Sequence, residues 1–445
     1  MKKTIIGVFV LFIINSANAE LLSFESVWNK INQSSALQEA SRLQTQVYSE
    51  SQTIASRHWL PRLYLDAKGF QTNDPGASFF GLLEQRSIQQ NDFNPTNLNE
   101  PDGRFFTRAA LGVDLPVYEG GTKSAKLQSL KHSVAAQQNE TSQIQIEQYA
   151  QVGQSYVSIA ILDQQKNKLE ELNSEITHLI KNYQLGSKSN PVGYSGLLGM
   201  KSLANRLNGL ISKCVAQNRS YYAMLSEMGL KDLQWTPAIK DAMAFVNHYF
   251  PIRPNSTAIE PSFVIASSME NAKAIEQMEK MEKGKFLPRV GLFAEAYAFN
   301  GNRDLANGYN AGIYLQWNLF NPSDYGSGKE ARLKSQVASK NTEALYQHER
   351  AEWAGLQQST KSLQENIRLL DESYQILMEQ SKITGKLFQN GSINALQIVE
   401  ILNRRADLIV QQGEAELALA GTASQTITKE KFDITNHISN GASHE

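Results

Sequence analysis

One plan of strand pair, tight turn and long helix is written twice in this chain, about half its length apart. His58-Trp59-Leu60-Pro61-Arg62 leads into the alternating run Leu63 to Lys68, and Lys285-Phe286-Leu287-Pro288-Arg289 leads into Val290 to Glu295. Leu111 to Tyr118 has its echo in Ile313 to Phe320. Tyr183-Gln184-Leu185-Gly186 has its echo in Phe388-Gln389-Asn390-Gly391. The pairs Pro61 and Pro288, Leu115 and Trp317, and Gly186 and Gly391 lie 227, 202 and 205 residues apart, so the order is kept and the first copy carries a longer insert. The 445 residues would suffice for several ordinary domains. A duplicated unit points instead to one interlocked repeat architecture.

Lys2 and Lys3 precede an apolar run from Ile5 to Ile14, and Ala17-Asn18-Ala19 stands before Glu20. This order of charge, apolar core and small-residue site predicts a secretory signal peptide over 1–19. A permanent transmembrane helix needs roughly 20 apolar residues, and no other stretch approaches that. The exported chain is therefore expected to be soluble or to insert as strands. The single cysteine, Cys214, lies far from the cleavage site, which removes a lipid acceptor there and reads as a small apolar residue of a helix. Net charge is −1 with 43 basic and 44 acidic residues, a balance that does not suit nucleic-acid binding.

Catalytic and cofactor chemistry finds no foothold in the pattern. The seven histidines stand singly, without an H-E-x-x-H pair or a tight ligand cluster. Gly326-Ser327-Gly328-Lys329 lacks the first glycine and the hydroxyl of a phosphate loop, because Ser323 and Glu330 occupy those places. No G-x-S-x-G elbow is present. The chain is expected to be no enzyme and to need no cofactor or metal.

The first repeat is expected over 20–228. It holds a helix over 23–57, a strand pair with a long loop over 73–104, a long helix over 122–181 and a shorter helix over 192–226. A mixed segment follows over 229–261. The second repeat, 262–430, holds a strand pair over 289–320, a long helix over 329–388 and a shorter helix over 394–427, with a polar tail over 431–445. Leu127, Leu130, Val134, Ile144, Val152, Ile159, Leu162, Leu169, Leu172, Ile176 and Leu179 recur at three- and four-residue steps, the register of packed long helices. A helix of about 60 residues is about 90 Å long. The two shorter helices 23–57 and 192–226, stacked end to end, about match it.

Each strand divides by parity. Leu63, Leu65, Ala67 and Gly69 oppose Tyr64, Asp66 and Lys68; Ala109, Leu111, Val113, Leu115 and Val117 oppose Arg108 and Asp114. Val290, Leu292, Ala294 and Ala296 oppose Glu295, and Ile313, Leu315, Trp317 and Leu319 oppose Gln316 and Asn318. This is the apolar-out, polar-in pattern of a transmembrane barrel, with Asp66, Lys68, Asp114, Glu295 and Gln316 on the lumen side. A soluble sandwich also alternates, but it has no use for the long helices. Four strands cannot close a barrel, whose smallest membrane form has about 8, and open edges in lipid are prohibitive. Either several copies share one barrel, two giving eight strands and a filled interior and three giving twelve and an open lumen, or the chain is not a membrane protein.

With these features in this order, the chain resembles the TolC-like outer-membrane efflux family. The resemblance rests on the duplicated unit, on Leu60-Pro61 and Leu287-Pro288 opening strands, on Pro116-Val117-Tyr118-Glu119-Gly120-Gly121 closing one, and on the two aromatic-x-x-Gly turns. It implies a mainly α fold with membrane β: a homotrimer whose twelve-stranded β-barrel sits in the cell outer membrane and whose α-helical tunnel crosses the periplasm. It implies tip turns at Tyr183, Gly186, Phe388 and Gly391, a periplasmic adaptor, and an inner-membrane transporter. The role implied is the exit duct of a tripartite efflux pump or a type I secretion system. Gln397 and Glu400 match the acidic ring positions of the family, and Ile393 stands where a basic residue often locks the tip. A periplasmic coiled-coil scaffold or adaptor that never inserts is the alternative.

Overall fold

The computed structural model describes residues 20–183, 191–231, 235–239, 241–251 and 260–434; the signal-peptide expectation for 1–19 and most of the tail lie outside them. The first repeat runs through β1 (Glu20–Leu22), α1 (Phe24–Ser34), α2 (Ala36–Ser56), β2 (Arg62–Thr72), α3 (Pro75–Glu84), α4 (Pro95–Asn99), β3 (Arg104–Glu119), α5 (Thr122–Asn182) and α6 (Pro191–Glu227). The segment between repeats holds β4 (Trp235–Pro237) and α7 (Ala242–Tyr249). The second repeat runs through α8 (Phe263–Gly284), β5 (Arg289–Asn300), β6 (Leu305–Gln316), α9 (Ser327–Gln389) and α10 (Ala395–Thr428). The chain forms two compact units. A helical unit takes Met1–Arg42, Glu140–Ile265 and Leu345–Glu445; a sheet unit takes Leu43–Asn139 and Ala266–Ala344.

In the sheet unit the order is β2-β3-β5-β6, antiparallel throughout, so the two repeats meet where β3 pairs with β5. Only β2 and β6 have an unpaired edge in the sheet. The register shifts between Pro116 and Tyr118. This bulge takes Val117 out of the simple alternation and moves Tyr118 onto the face of Val290.

The helical unit has two cores. In one, Phe24 and Trp28 of α1 meet Tyr149 of α5, each with ring centroids 5.2 Å apart, and Phe245 and Phe250 close around them. The Tyr156 hydroxyl donates to the Leu22 carbonyl at 2.6 Å and accepts from the Ala238 amide at 2.9 Å, tying β1 and the end of β4 to α5. Gly153, the one glycine of α5, lies under these rings: a Cβ there would stand 2.5 Å from Phe250. The second core joins Leu162, Leu169, Leu172 and Ile176 of α5 to Met200, Leu203 and Leu207 of α6 and to Ile398, Leu402, Ala406 and Ile409 of α10. Each leucine, isoleucine and methionine among them contributes about 1.5–3 kcal/mol on full burial.

Four local expectations differ from the structure. The helix expected over 23–57 breaks at Ser35, whose ψ is 111°. Its hydroxyl accepts from the Gln38 amide at 3.3 Å and from Gln148 Nε2 at 2.8 Å, offering the backbone a cap in place of a helical turn. The loop expected over 73–104 contains α3 and α4. Pro75 and Pro95 open these helices behind the side-chain caps of Asp74 and Asn94, where a missing N–H costs nothing. α8 precedes β5 in the second repeat, as α2 precedes β2 in the first. Finally, β6 spans Leu305–Gln316 where a strand ending at 320 was expected. Trp317 Nε1 donates to the Phe286 carbonyl at 3.1 Å and leaves the ladder.

Candidate functional site

Two surfaces carry the sites read from the sequence: the faces of the sheet and the reversal between α9 and α10. One sheet face is apolar and open, with Leu63, Leu65, Leu111, Ile313 and Leu315 all at least 60 % exposed. Such a patch on an isolated chain demands a partner or a membrane. The other face places Asp114 opposite Arg62 and Glu295 opposite Gly112, and it also bears Asp66 and Lys68. Asp66, Lys68, Asp114, Glu295 and Gln316 therefore share one side of the sheet.

The polar face is a connected network. Arg108 pairs with Glu295, the Tyr64 hydroxyl donates to Glu295 at 3.2 Å, and the Tyr314 hydroxyl donates to Asp114 at 3.0 Å. The Arg108 guanidinium also lies 5.0 Å over the Tyr297 ring. Three tyrosines lie flat because glycines face them across the ladder. Tyr64 covers Gly112, Tyr314 covers Gly291, and Tyr297 covers Gly308, each so closely that a Cβ on the glycine would collide with the ring. The sequence shows these glycines as gaps in the alternation; only strand register reveals that tyrosines fill them.

At the other surface, α9 ends in a Schellman motif. The Ser392 amide donates to the Leu387 carbonyl at 2.9 Å and the Gly391 amide to the Phe388 carbonyl at 3.0 Å. Gly391 has φ +72°, a conformation that favours glycine. Tyr183 and Phe388 stack with centroids 6.0 Å apart and planes within 7°, and the Tyr183 hydroxyl donates to the Gly193 carbonyl at 3.2 Å. These rings border an open groove of about 800 Å³ that His178, Asn182, Gly391 and Gln397 also line. Gly186 lies outside the described residues.

Gln397 and Glu400 are both exposed on the first turns of α10. The Gln397 side chain accepts from the Asn394 amide at 3.0 Å while Asn394 accepts from the Gln397 amide at 3.1 Å, a reciprocal cap that holds the start of the helix. Glu400 accepts from Arg404 Nε at 3.0 Å, with both side chains more than half exposed. An exposed pair one turn apart is worth about 0.3–0.5 kcal/mol, so Glu400 is only weakly held.

Sequence reading missed the ties that join these helices. Arg405 of α10 is 3 % exposed and donates to Glu175 of α5 at 2.6 Å and to Ser381 of α9 at 3.1 Å. Arg206 of α6 pairs with Asp407 of α10, and Lys168 of α5 donates to Gln412 at 3.0 Å. The signal available was a lone arginine on an otherwise apolar face of α10. Gly196 of α6 lies against Ala395, where any side chain would collide, so the helices meet closely at the reversal. Cys214 is buried, donates to Gln165 Oε1 at 3.5 Å, and burial raises its pKa. Among the described residues, no group of three His, Cys, Asp or Glu side chains is placed to hold a metal, and no helix is long and apolar enough to cross a membrane.

No family model matches the chain, and no curated protein does. Solved structures do. The CmeC outer membrane channel of Campylobacter jejuni is 14 % identical with a TM-score of 0.75, covering 94 % of this chain and 88 % of that one. The outer membrane protein VceC of Vibrio cholerae is 13 % identical with a TM-score of 0.70, covering 92 % and 96 %. CusC, a protein described as forming a transmembrane channel, is 11 % identical with a TM-score of 0.76, covering 93 % of each chain. At these identities the likeness speaks for the fold, and it extends over nearly the whole of each partner. The duplicated strand-pair and long-helix unit thus takes the fold of the TolC-like outer-membrane efflux channels.

Proposed function

We propose that this chain is the outer-membrane exit duct of an export machine: a homotrimer whose three four-stranded sheets close one twelve-stranded barrel, with the helices forming a tunnel in the periplasm. The observation that carries this reading is the sheet itself. One face is an exposed apolar surface, the other is a hydrogen-bonded polar network, and β2 and β6 each have an unpaired edge. In lipid an unpaired edge is prohibitive, so the β2 edge of one copy must pair with the β6 edge of the next.

Transport through such a duct is passive, and the energy comes from an inner-membrane transporter reached through a periplasmic adaptor. The adaptor meets the reversal around Tyr183, Phe388 and Gly391, where the groove between stacked rings and capped turn offers a shaped surface. Glu400 and Gln397 line the narrow end, and Asp66, Lys68, Asp114, Glu295 and Gln316 face the barrel lumen. Cargo is a small toxic molecule or an exported polypeptide. The alternative, a periplasmic scaffold that never inserts, leaves the exposed leucines of the sheet without a use.

Membrane fractionation and channel recording test the reading together. The chain is expected in the outer-membrane fraction as an oligomer that resists detergent until heated, and to give ion-conducting channels in planar bilayers. Recovery as a soluble periplasmic monomer without channel activity would favour the scaffold.

A further inference from the structure

The offsets that align the two repeats, 227 and 202 residues, also superpose their hairpins. Arg62 pairs with Asp114 between β2 and β3; moved by those offsets, the two positions become Arg289 and Gln316, which pair between β5 and β6. The chain therefore holds one instance of how the second strand of a repeat meets the first strand of the next. That instance is β3 against β5, with Asp114 opposite Phe293 and Arg108 opposite Phe299. In a shared barrel β6 meets β2 of the next copy, which is the same junction between repeats. Carried across by the same offsets, the β3–β5 register sets Gln316 opposite Asp66, Tyr314 opposite Lys68 and Asn310 opposite Thr72.

This register gives a reason for the early end of β6. Past Asp114, β3 pairs with β5 alone, because β2 begins only at Arg62. The counterparts in β6 are Trp317 and Asn318, which keep the alternation but have no β5 residue to pair with. Trp317 is left 53 % exposed. In the carried-over register these two residues run past Leu65 and Tyr64 of the next copy, and Trp317 falls beside Leu65 on the apolar face.

One side chain stands where such a seam ends. The outermost β3–β5 pair, Thr107 with Asn300, carries over to Tyr309 with Asn73, just short of Asn307. The Asn307 carbonyl accepts instead from the Arg86 guanidinium at 2.9 Å. Arg86 closes α3 in a Schellman motif: its amide donates to the Leu83 carbonyl at 2.9 Å and the Ser87 amide to the Leu82 carbonyl at 3.1 Å. Its φ is +54°, and among the described residues no other side chain besides glycine has a positive φ. Glycine is the usual residue at that place, and an arginine there is strained. The strain sets a guanidinium against an edge strand of the sheet, and charge on an edge is what keeps further strands from pairing with it.

We propose that Arg86 is a register stop for the seam between copies: it holds the β6 edge at Asn307 and confines β2 of the next copy to the pairing that sets Gln316 opposite Asp66. This rests on the barrel reading above. A slip of one residue would turn the leucines of β2 to the lumen, so the two-faced pattern already forbids it. A slip of two keeps every face and needs another barrier. Outward, it sets Gln316 opposite Tyr64 and brings Asn73 onto Asn307, the position that Arg86 holds. Inward, it sets Gln316 opposite Lys68 and strips Tyr309 and Asn310 of their partners.

Paired cysteines in the full chain read the register. In a Cys214→Ser background, Gln316→Cys is combined with Asp66→Cys, with Tyr64→Cys or with Lys68→Cys, and outer membranes are oxidised with copper phenanthroline. Directly opposed residues lie about 4.5–5.5 Å apart, within disulfide reach, and diagonal ones about 7–8 Å apart, beyond it. The pair 66 and 316 is expected to link most chains into a covalent oligomer, while the other two pairs leave them single. Arg86→Gly suits the positive φ and removes the guanidinium. With the oligomer intact, it is expected to raise linking of the pair 64 and 316 severalfold and to leave the pair 68 and 316 single. A pattern that Arg86→Gly does not change, or a preference for position 64 or 68 while Arg86 is present, would overturn the stop and leave the barrel standing. Absence of any detergent-resistant oligomer from the outer membrane, wild type included, would overturn both.

Discussion

Charge at single residues is placed to act locally. Asp92 is buried, and its hydrogen bond to the Arg303 guanidinium holds its carboxyl below the usual carboxylate range, with the charge of Arg104 adding to the effect. A depressed carboxylate contributes stability above its unfolded value of about 4 and loses it as pH falls through the lower folded value. Proteolysis of the 73–104 segment in intact cells is therefore expected to stay flat from neutral pH down to about pH 4 and to rise below it. Asp92→Asn removes this dependence and raises cleavage at neutral pH; an unchanged profile in that variant would mean that the Asp92–Arg303 pair does not hold the segment. Glu400 is a different case, a weakly held carboxylate near the axis of the proposed trimer. Three such groups in a ring attract cations. Glu400→Ala is expected to reduce block of reconstituted channels by divalent cations severalfold, and wild-type block would remove Glu400 from the constriction.

Elements show where sequence suffices and where it does not. The long helices were legible because their apolar residues keep three- and four-residue steps for some sixty positions, and α5 spans Thr122–Asn182 where 122–181 was expected. The strand faces were legible because period two is unambiguous when charges fall on one side. Insert helices were not: Pro75 and Pro95 read as breakers, although proline opens a helix as readily as it ends one. The end of β6 was also hidden, since Trp317 and Leu319 keep the alternation after the ladder has stopped. Gln397 matched a family position by spacing, yet the fold also uses its amide in the cap of α10. The close approach of α6 and α10 at Gly196 needed coordinates as well. Gly196→Val there is expected to cost about 1–3 kcal/mol through overpacking. Thermal unfolding of the detergent-extracted protein by circular dichroism should show a lower midpoint, and no shift would mean the helices part freely.

For the whole molecule, two parallel needs explain the architecture. The helical unit buries two cores of its own but leaves Leu369, Ile376 and Ile383 of α9 exposed, an apolar row that further copies would cover. The sheet unit leaves its leucines and two strand edges unsatisfied, so it asks for lipid on one face and for further copies on both sides. The central claim, that alternate residues of β2 face lipid and lumen, is tested most directly by spin labels placed one at a time from position 63 to 68 in outer membranes. Collision rates with dissolved oxygen and with a water-soluble nickel complex report lipid and water access. The account predicts oxygen maxima at 63, 65 and 67 and nickel maxima at 64, 66 and 68. Equal nickel access at all six positions would contradict it.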